Sequence, residues 1–303
     1  MQSIIQQLIT QLDQILLGKH HQIKLALSCL LAEGHLLLED LPGMGKTTLA
    51  HGLAKALGLQ FQRVQFTSDL LPADILGAAI FDREKSQFRF HPGPVFTNLL
   101  LADEINRTSP KTQSALLEAM EERQVSIEGK TRPLPSPFFV IATQNPFSQS
   151  GTFPLPESQL DRFLMRLSLG YPNANAERQL FEGLDPRERI EQLQTVLKPD
   201  QLAQLQQMAK QVTASPALLD YLQLLVDFTR HDDRFGHGLS PRGALAILRA
   251  AKSWAFIHNR QYLIPEDLQA VIPAVITHRL RGATIDARSE ELGKLLIDMV
   301  KVI

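Results

Sequence analysis

The sequence predicts an α/β fold: a layered domain on a five-stranded parallel sheet, followed by an all-helical domain. Two observations carry that reading. Up to about Gly170, five short apolar runs alternate with helical patterns. Strands that are apolar along their length and separated by helices make a parallel sheet covered on both faces. After Gly170-Tyr171-Pro172 the segments all read as helices. A chain of 303 residues has room for two domains, each with its own core. The boundary falls at 170, giving domains 1–170 and 171–303.

The elements follow in order. Ile4, Ile5, Leu8, Leu12, Ile15 and Leu16 recur at helical spacing, which makes an amphipathic helix rather than a signal peptide. Cys29, the single cysteine, sits in the apolar helical pattern LALSCLLA as a small core residue. The strand runs are 35–39, 61–66, 98–104, 138–145 and 163–169. Helices are expected over 47–57, stopping at Gly58, and over 110–123, with Ser109 as cap and Pro110 at the first helical position. Two inserts, 76–95 and 123–134, alternate apolar and polar residues around charged turns and read as β-hairpins, with plain surface loops as the alternative. The later helices are expected over 176–184, 187–197, 199–212, 216–230, 241–258, 265–280 and 288–302, with Trp254 on an apolar face.

The chain is 44% apolar and 21% charged, as soluble globular proteins are, with a formal net charge of −1. That balance argues against a bulk nucleic-acid binder. No apolar run approaches the roughly 18–20 residues of a membrane span, so the expected location is cytoplasmic. The nine histidines show no metal-site spacing.

The chemistry concentrates in HLLLEDLPGMGKTTLA, residues 35–50. An apolar strand runs into Pro42-Gly43-Met44-Gly45-Lys46-Thr47, and Thr47-Thr48 opens a helix. Backbone N–H groups in such a loop, with the positive end of the helix, cradle phosphate. Gly43 and Gly45 allow close backbone approach, Lys46 reaches the outer phosphates, and the Thr47 hydroxyl suits Mg²⁺. The signature asks for glycine where this chain has Asp40. Aspartate is tolerable there if its carboxylate points away from the phosphates.

A second strand, LLLADEINR (99–107), ends in two carboxylates. Asp103 is placed to hold Mg²⁺ and Glu104 to polarise the attacking water. The strand FFVIATQN ends in polar residues, of which Asn145 is a candidate to orient that water.

With these motifs in place, the chain resembles the AAA+ ATPases, and within them the MoxR family. LLLEDLPGMGKTTLA, VQFTSDLLPADILG, GPVFTNLLLADEINRTSPKTQSALLEAMEERQVSIEG, VIATQNPFSQSGTFPLPESQLDRFLMRL, GLSPRGALAILRAAKSWA and IPEDLQAVIPAVITHRL all match, over nearly the whole length. The resemblance implies an αβα nucleotide domain with a helical lid, in a ring, usually a hexamer, with ATP and Mg²⁺ between subunits. It places Lys46 and Thr47 in Walker A, Asp103 and Glu104 in Walker B, and Asn145 at sensor 1. Arg162 matches the finger that reaches a neighbour's γ-phosphate, a role worth about 10³–10⁵ in rate in other phosphoryl-transfer systems. The alternative for Arg162 is structural pairing with Asp161. Arg242 matches sensor 2, and local sequence agrees: Ser240 caps, Pro241 starts a helix, and Arg242 lies in its first turn. Leu17 and Gly18 resemble an adenine-side contact. The hairpins match the helix-2 insert and the pre-sensor-1 hairpin.

The function this resemblance implies is remodelling or maturation of partner proteins, with von Willebrand A-domain proteins as candidate clients. Two other readings stand beside it. One is a nucleic-acid motor or magnesium-chelatase-like subunit. The other is a scaffold gated by nucleotide.

Overall fold

A computed structural model describes residues 2–146, 151–183, 185–280 and 289–302. The last residue of the helix expected over 176–184 and the first of that expected over 288–302 lie outside these residues, as does the FSQS segment at 147–150.

Two helices come first, α1 (Gln2–Ile15) and α2 (His20–Leu31). The strand β1 (His35–Glu39) then leads through the glycine loop into α3 (Lys46–Ala56). The edge strand β2 (Phe61–Gln65) and short α4 (Pro72–Leu76) precede the hairpin β3 (Gly77–Asp82) and β4 (Gln87–Pro92). The chain returns to the sheet as β5 (Leu99–Asp103), followed by a 3-10 turn (Ile105–Arg107) and α5 (Pro110–Glu122). A second hairpin, β6 (Gln124–Ile127) and β7 (Lys130–Pro133), leads to β8 (Phe139–Gln144), short α6 (Glu157–Leu160) and β9 (Phe163–Leu167). The helices α7 (Ala174–Phe181), α8 (Pro186–Gln192), α9 (Pro199–Lys210), α10 (Pro216–His231), α11 (Pro241–Ile257), α12 (Pro265–Ile276) and α13 (Ser289–Met299) complete the chain.

The central sheet runs β2-β5-β8-β1-β9, with every neighbouring pair parallel. Both inserts are antiparallel hairpins, Phe81 facing Phe88 in the first and Ser126 facing Thr131 in the second. The expectation of strands buried on both faces holds for four strands and fails for β2, where Gln62, Arg63 and Gln65 are exposed. β2 closes one edge of the sheet and is left open to solvent, whereas β9, at the other edge, is covered by α12 and α2.

Alternation along the strands divides the apolar residues into two clusters. Leu37, Leu100, Ala102, Val140 and Ala142 face α5 and the inserts. Leu36, Leu38, Leu99, Leu101, Ile141 and Met165 face the other way, into a cluster shared with α1, α2, α3 and the later helices. The helical part therefore continues the core of one sheet face instead of enclosing a separate one. Trp254 on α11 meets the ring of His21 on α2 edge-on, with centroids 5.4 Å apart.

Candidate functional site

Every strand of a parallel sheet ends on the same side, so the carboxyl ends of β1, β5 and β8 lie together. β8 sits between β1 and β5, pairing Leu38 with Thr143 on one side and Ala102 with Ala142 on the other. The glycine loop, the acid pair and the Thr143-Gln144-Asn145 end are thereby adjacent.

The loop adopts the backbone its glycines permit. Gly43 and Gly45 have φ of 84° and 90°, a left-handed conformation that costs other L-residues free energy. A side-chain carbon on Gly43 would meet nothing within 4 Å, so the loop faces open space; one on Gly45 would lie 2.8 Å from Leu16. The neighbour that touches the loop is thus Leu16, while Leu17 is half-buried and Gly18 (φ 70°) lies against Asn173 and Ala176 at the start of α7. The Lys46 ammonium bends into the loop and donates to the main-chain carbonyls of Asp40 (2.6 Å) and Leu41 (3.2 Å). Burial pulls its pKa down, while the carboxylates of Asp40, Asp103, Glu104 and Glu39 raise it. Thr47 and Thr48 follow Lys46 in the first turn of α3.

Asp40 is buried, and its carboxylate accepts from the main-chain N–H groups of Leu169 and Gly170, the latter at 3.0 Å. Its hydrogen bonds thus go to the chain beyond β9 and not to the N–H groups of the glycine loop.

The acid pair is held by side chains that sequence reading did not single out. Thr143 donates to Asp103 Oδ1 at 2.6 Å and accepts the Glu104 N–H at 2.9 Å. From the edge strand, Arg63 pairs with Asp103 Oδ2 at 2.6 Å and Gln65 donates to Glu104 at 3.0 Å. Arg107 pairs with Glu104 at 3.0 Å. Glu39, at the end of β1, receives Gln144 from β8 and Arg166 from β9, the latter at 2.6 Å. The available signal was period two: Arg63 and Gln65 lie on one face of a strand that pairs residue for residue with β5. Asn145 immediately follows β8, one residue beyond the Gln144 that bonds Glu39.

Arg162 and Arg242 lie elsewhere. Arg162 immediately precedes β9, at the amino end of the sheet, where Phe163 pairs with His35. It forms an ion pair with Glu121 at 2.7 Å and donates to the Ser158 carbonyl at 3.1 Å. Arg242 is not brought to the phosphate loop of its own chain. It sits beside Arg162, paired with Glu121 (3.3 Å) and Asp161 (3.4 Å). The packing of α11 against α2 sets this position, which the local pattern of cap, proline and first-turn arginine does not encode. Together with Arg123, Arg249 and Arg279, these two line a cavity of about 130 Å³. The alternative pairing of Arg162 with Asp161 is not the one found: Asp161 bonds Arg279 and Arg242, and Arg162 takes Glu121.

Two arginines at the second hairpin are also engaged. Arg123 pairs with Glu33 at 3.1 Å, and the Arg132 guanidinium lies 3.9 Å over the Phe90 ring of the first hairpin.

A parallel sheet, a glycine loop entering a helix and an acid pair two strands away, with a polar strand end between them, define a P-loop ATPase of the AAA class with a helical lid. The comparisons agree. A sequence model of the ATPase family associated with various cellular activities matches residues 35–165, and one of the AAA lid domain matches residues 227–294. YeaC of Bacillus subtilis is 45% identical over 90% of this chain and 85% of its own. The chaperone MoxR1 of Mycobacterium tuberculosis is 41% identical over 97% of this chain and 79% of its own. A crystal structure described as that of an ATPase from Cytophaga hutchinsonii superposes with a TM-score of 0.89 at 34% identity, covering 100% of this chain and 96% of that one. The chain belongs to the MoxR family of AAA+ ATPases. Among the described residues, no helix is long and apolar enough to cross a membrane.

Proposed function

We propose that this ATPase binds ATP with Mg²⁺ at the interfaces of a homo-oligomeric ring, a hexamer, and uses turnover to remodel partner proteins. Residues 1–170 carry the nucleotide, and residues 171–303 form the lid. One observation carries the interface reading. The loop and acid pair stand at the carboxyl ends of the strands, whereas Arg162 and Arg242 stand at the amino end of β9. A five-residue strand spans roughly 16 Å, beyond the reach of an arginine side chain. Among the described residues, no hydrogen bond or ion pair of Lys46, Asp103 or Glu104 reaches Arg162 or Arg242. If the two arginines meet a triphosphate, it is a neighbour's.

The residues suit the ligand. The loop's N–H groups and Lys46 bind the phosphates, and Met44 and Pro42 shape the loop around them. Leu16, Leu17 and Gly18 line the base side. Thr47 and Asp103 offer the oxygen ligands a hard divalent cation takes. When bound, magnesium neutralises phosphate charge. Glu104 accepts the proton of the attacking water, and Asn145 orients that water. Arg162 and Arg242 of the adjoining subunit offset the charge that develops as the γ-phosphoryl leaves.

The client side of the proposal rests on the chaperone name carried by the relative MoxR1. It also rests on the first hairpin, whose Phe81 and Phe88 rings, 5.3 Å apart, are exposed. Von Willebrand A-domain proteins are the candidate clients. The Glu104→Gln substitution tests the catalytic core. Binding of a fluorescent ATP analogue and assembly should persist while turnover falls on the order of 10²-fold or more. Turnover at the wild-type rate removes Glu104 from the mechanism.

A further inference from the structure

The turn that carries Arg162 is gripped from the far end of the chain. Arg279 lies three residues beyond α12, and its side chain is only 6% exposed. Its Nε donates to Asp161 Oδ1 at 2.7 Å. Its Nη2 donates to the carbonyls of Phe163 (2.7 Å) and Asp161 (3.2 Å), and its Nη1 to that of Leu164 (3.0 Å). One guanidinium thus makes four bonds to the segment 161–164. His278 lies in the same place, its Nε2 2.8 Å from both the Phe163 carbonyl and Arg279 Nη1.

A strand start does not need a buried cation, since main-chain carbonyls find partners in the sheet or in water. A charge out of water persists only where it is paired and fully hydrogen-bonded. The carboxylate that pairs with this one is shared. Asp161 Oδ2 faces Arg242 at 3.4 Å, and Glu121 bridges Arg242 (3.3 Å) to Arg162 (2.7 Å). Charges therefore alternate along one chain of contacts: Arg279, Asp161, Arg242, Glu121, Arg162. The chain begins in the buried helical part and ends at the two arginines on the molecular surface, 52% and 28% exposed.

We infer that Arg279 is a positioning residue for the arginine pair, locking the Arg162 turn and the Arg242-bearing helix into one unit that meets a neighbouring subunit's nucleotide. This rests on the reading that Arg162 serves a neighbour's site. Its consequence is directional. Loss of Arg279 impairs hydrolysis in the subunit next door and spares the subunit's own phosphate loop.

Mixed assemblies read that direction. An Arg162→Ala subunit keeps its own loop, and a Lys46→Ala subunit keeps its own arginines. Mixing the two should restore ATPase activity above the sum of the separate proteins. Adding Arg279→Met to the Lys46→Ala subunit should cut the restored rate tenfold to a hundredfold, on the order expected for a misplaced catalytic group. Adding it to the Arg162→Ala subunit should leave the restored rate unchanged. Arg279→Lys in the Lys46→Ala subunit keeps charge for Asp161 but not the forked bonds, and should fall between.

Equal loss in both placements would show a general folding role and overturn the inference, as would no loss in either. Failure of the reference pair, which carries no change at Arg279, would overturn the interface reading itself and this inference with it. Binding of a fluorescent ATP analogue by the Arg279→Met subunit reports its folding. If that binding is lost, Asp161→Asn in the Lys46→Ala subunit breaks the same chain one link further on. It must then reproduce the directional loss; its failure to do so overturns the inference.

Discussion

Single residues in this chain show how burial sets chemistry. His35 opens β1 and is buried against Phe138 and Phe139. Its Nδ1 accepts the Val140 N–H at 3.0 Å, which leaves Nε2 to donate to the Met120 carbonyl at 3.2 Å. The neutral ring satisfies both contacts, and a second proton would face an N–H donor. Burial lowers its pKa from 6.5 to about 4. The unfolded chain therefore binds the extra proton first as pH falls. His35 contributes stability that is complete above about pH 6.5 and is lost progressively toward pH 4, at most about 3 kcal/mol. Denaturant midpoints measured from pH 7 to pH 4 should fall, and fall less steeply in a His35→Gln protein. Parallel slopes would contradict the assignment.

Elements bring these residues to the site through their ends. α11 begins at Ser240, whose hydroxyl accepts the Gly243 N–H at 3.1 Å, with Pro241 next and Arg242 in the first turn. Loss of that cap should destabilise the protein by about 1 kcal/mol and fray the turn that presents Arg242. Chemical denaturation of Ser240→Ala reads the first effect, and an unchanged midpoint would show the cap to be redundant. α5 uses the same device at Ser109 and Pro110, then ends at Arg123 in a left-handed conformation (φ 53°). Its last turn carries Glu121, which bridges the two arginines. These helix starts were legible because capping is local. The partners of Glu121 were not, because an ion pair between α5, the turn before β9 and α11 has no sequence period.

At the scale of the molecule, the helices after residue 170 share one apolar cluster with α1, α2, α3 and one face of the sheet. Separating the halves would expose that surface to water, at roughly 25 cal/mol per Å². Nucleotide-free protein should therefore unfold in a single cooperative transition, with calorimetric and van't Hoff enthalpies equal. Two resolved transitions would show that the shared cluster does not couple the halves.

The sequence by itself determined the five parallel strands, the caps of α5 and α11, the glycine loop and the acid pair, and it offered hairpins for the two inserts with loops as the alternative. Each is written in contiguous residues, by alternation, capping or the need for glycine at positive φ. It also implied the family, from ordered motifs spread over the chain. Tertiary structure alone decided that Asp40 turns toward Leu169 and Gly170, that Arg63 and Gln65 hold Asp103 and Glu104, and that Arg242 joins Arg162 instead of Lys46. Those outcomes depend on which strands are neighbours and on the sheet face where the later helices pack. Such choices are fixed by burying apolar surface between segments far apart in the chain, and no local pattern records them.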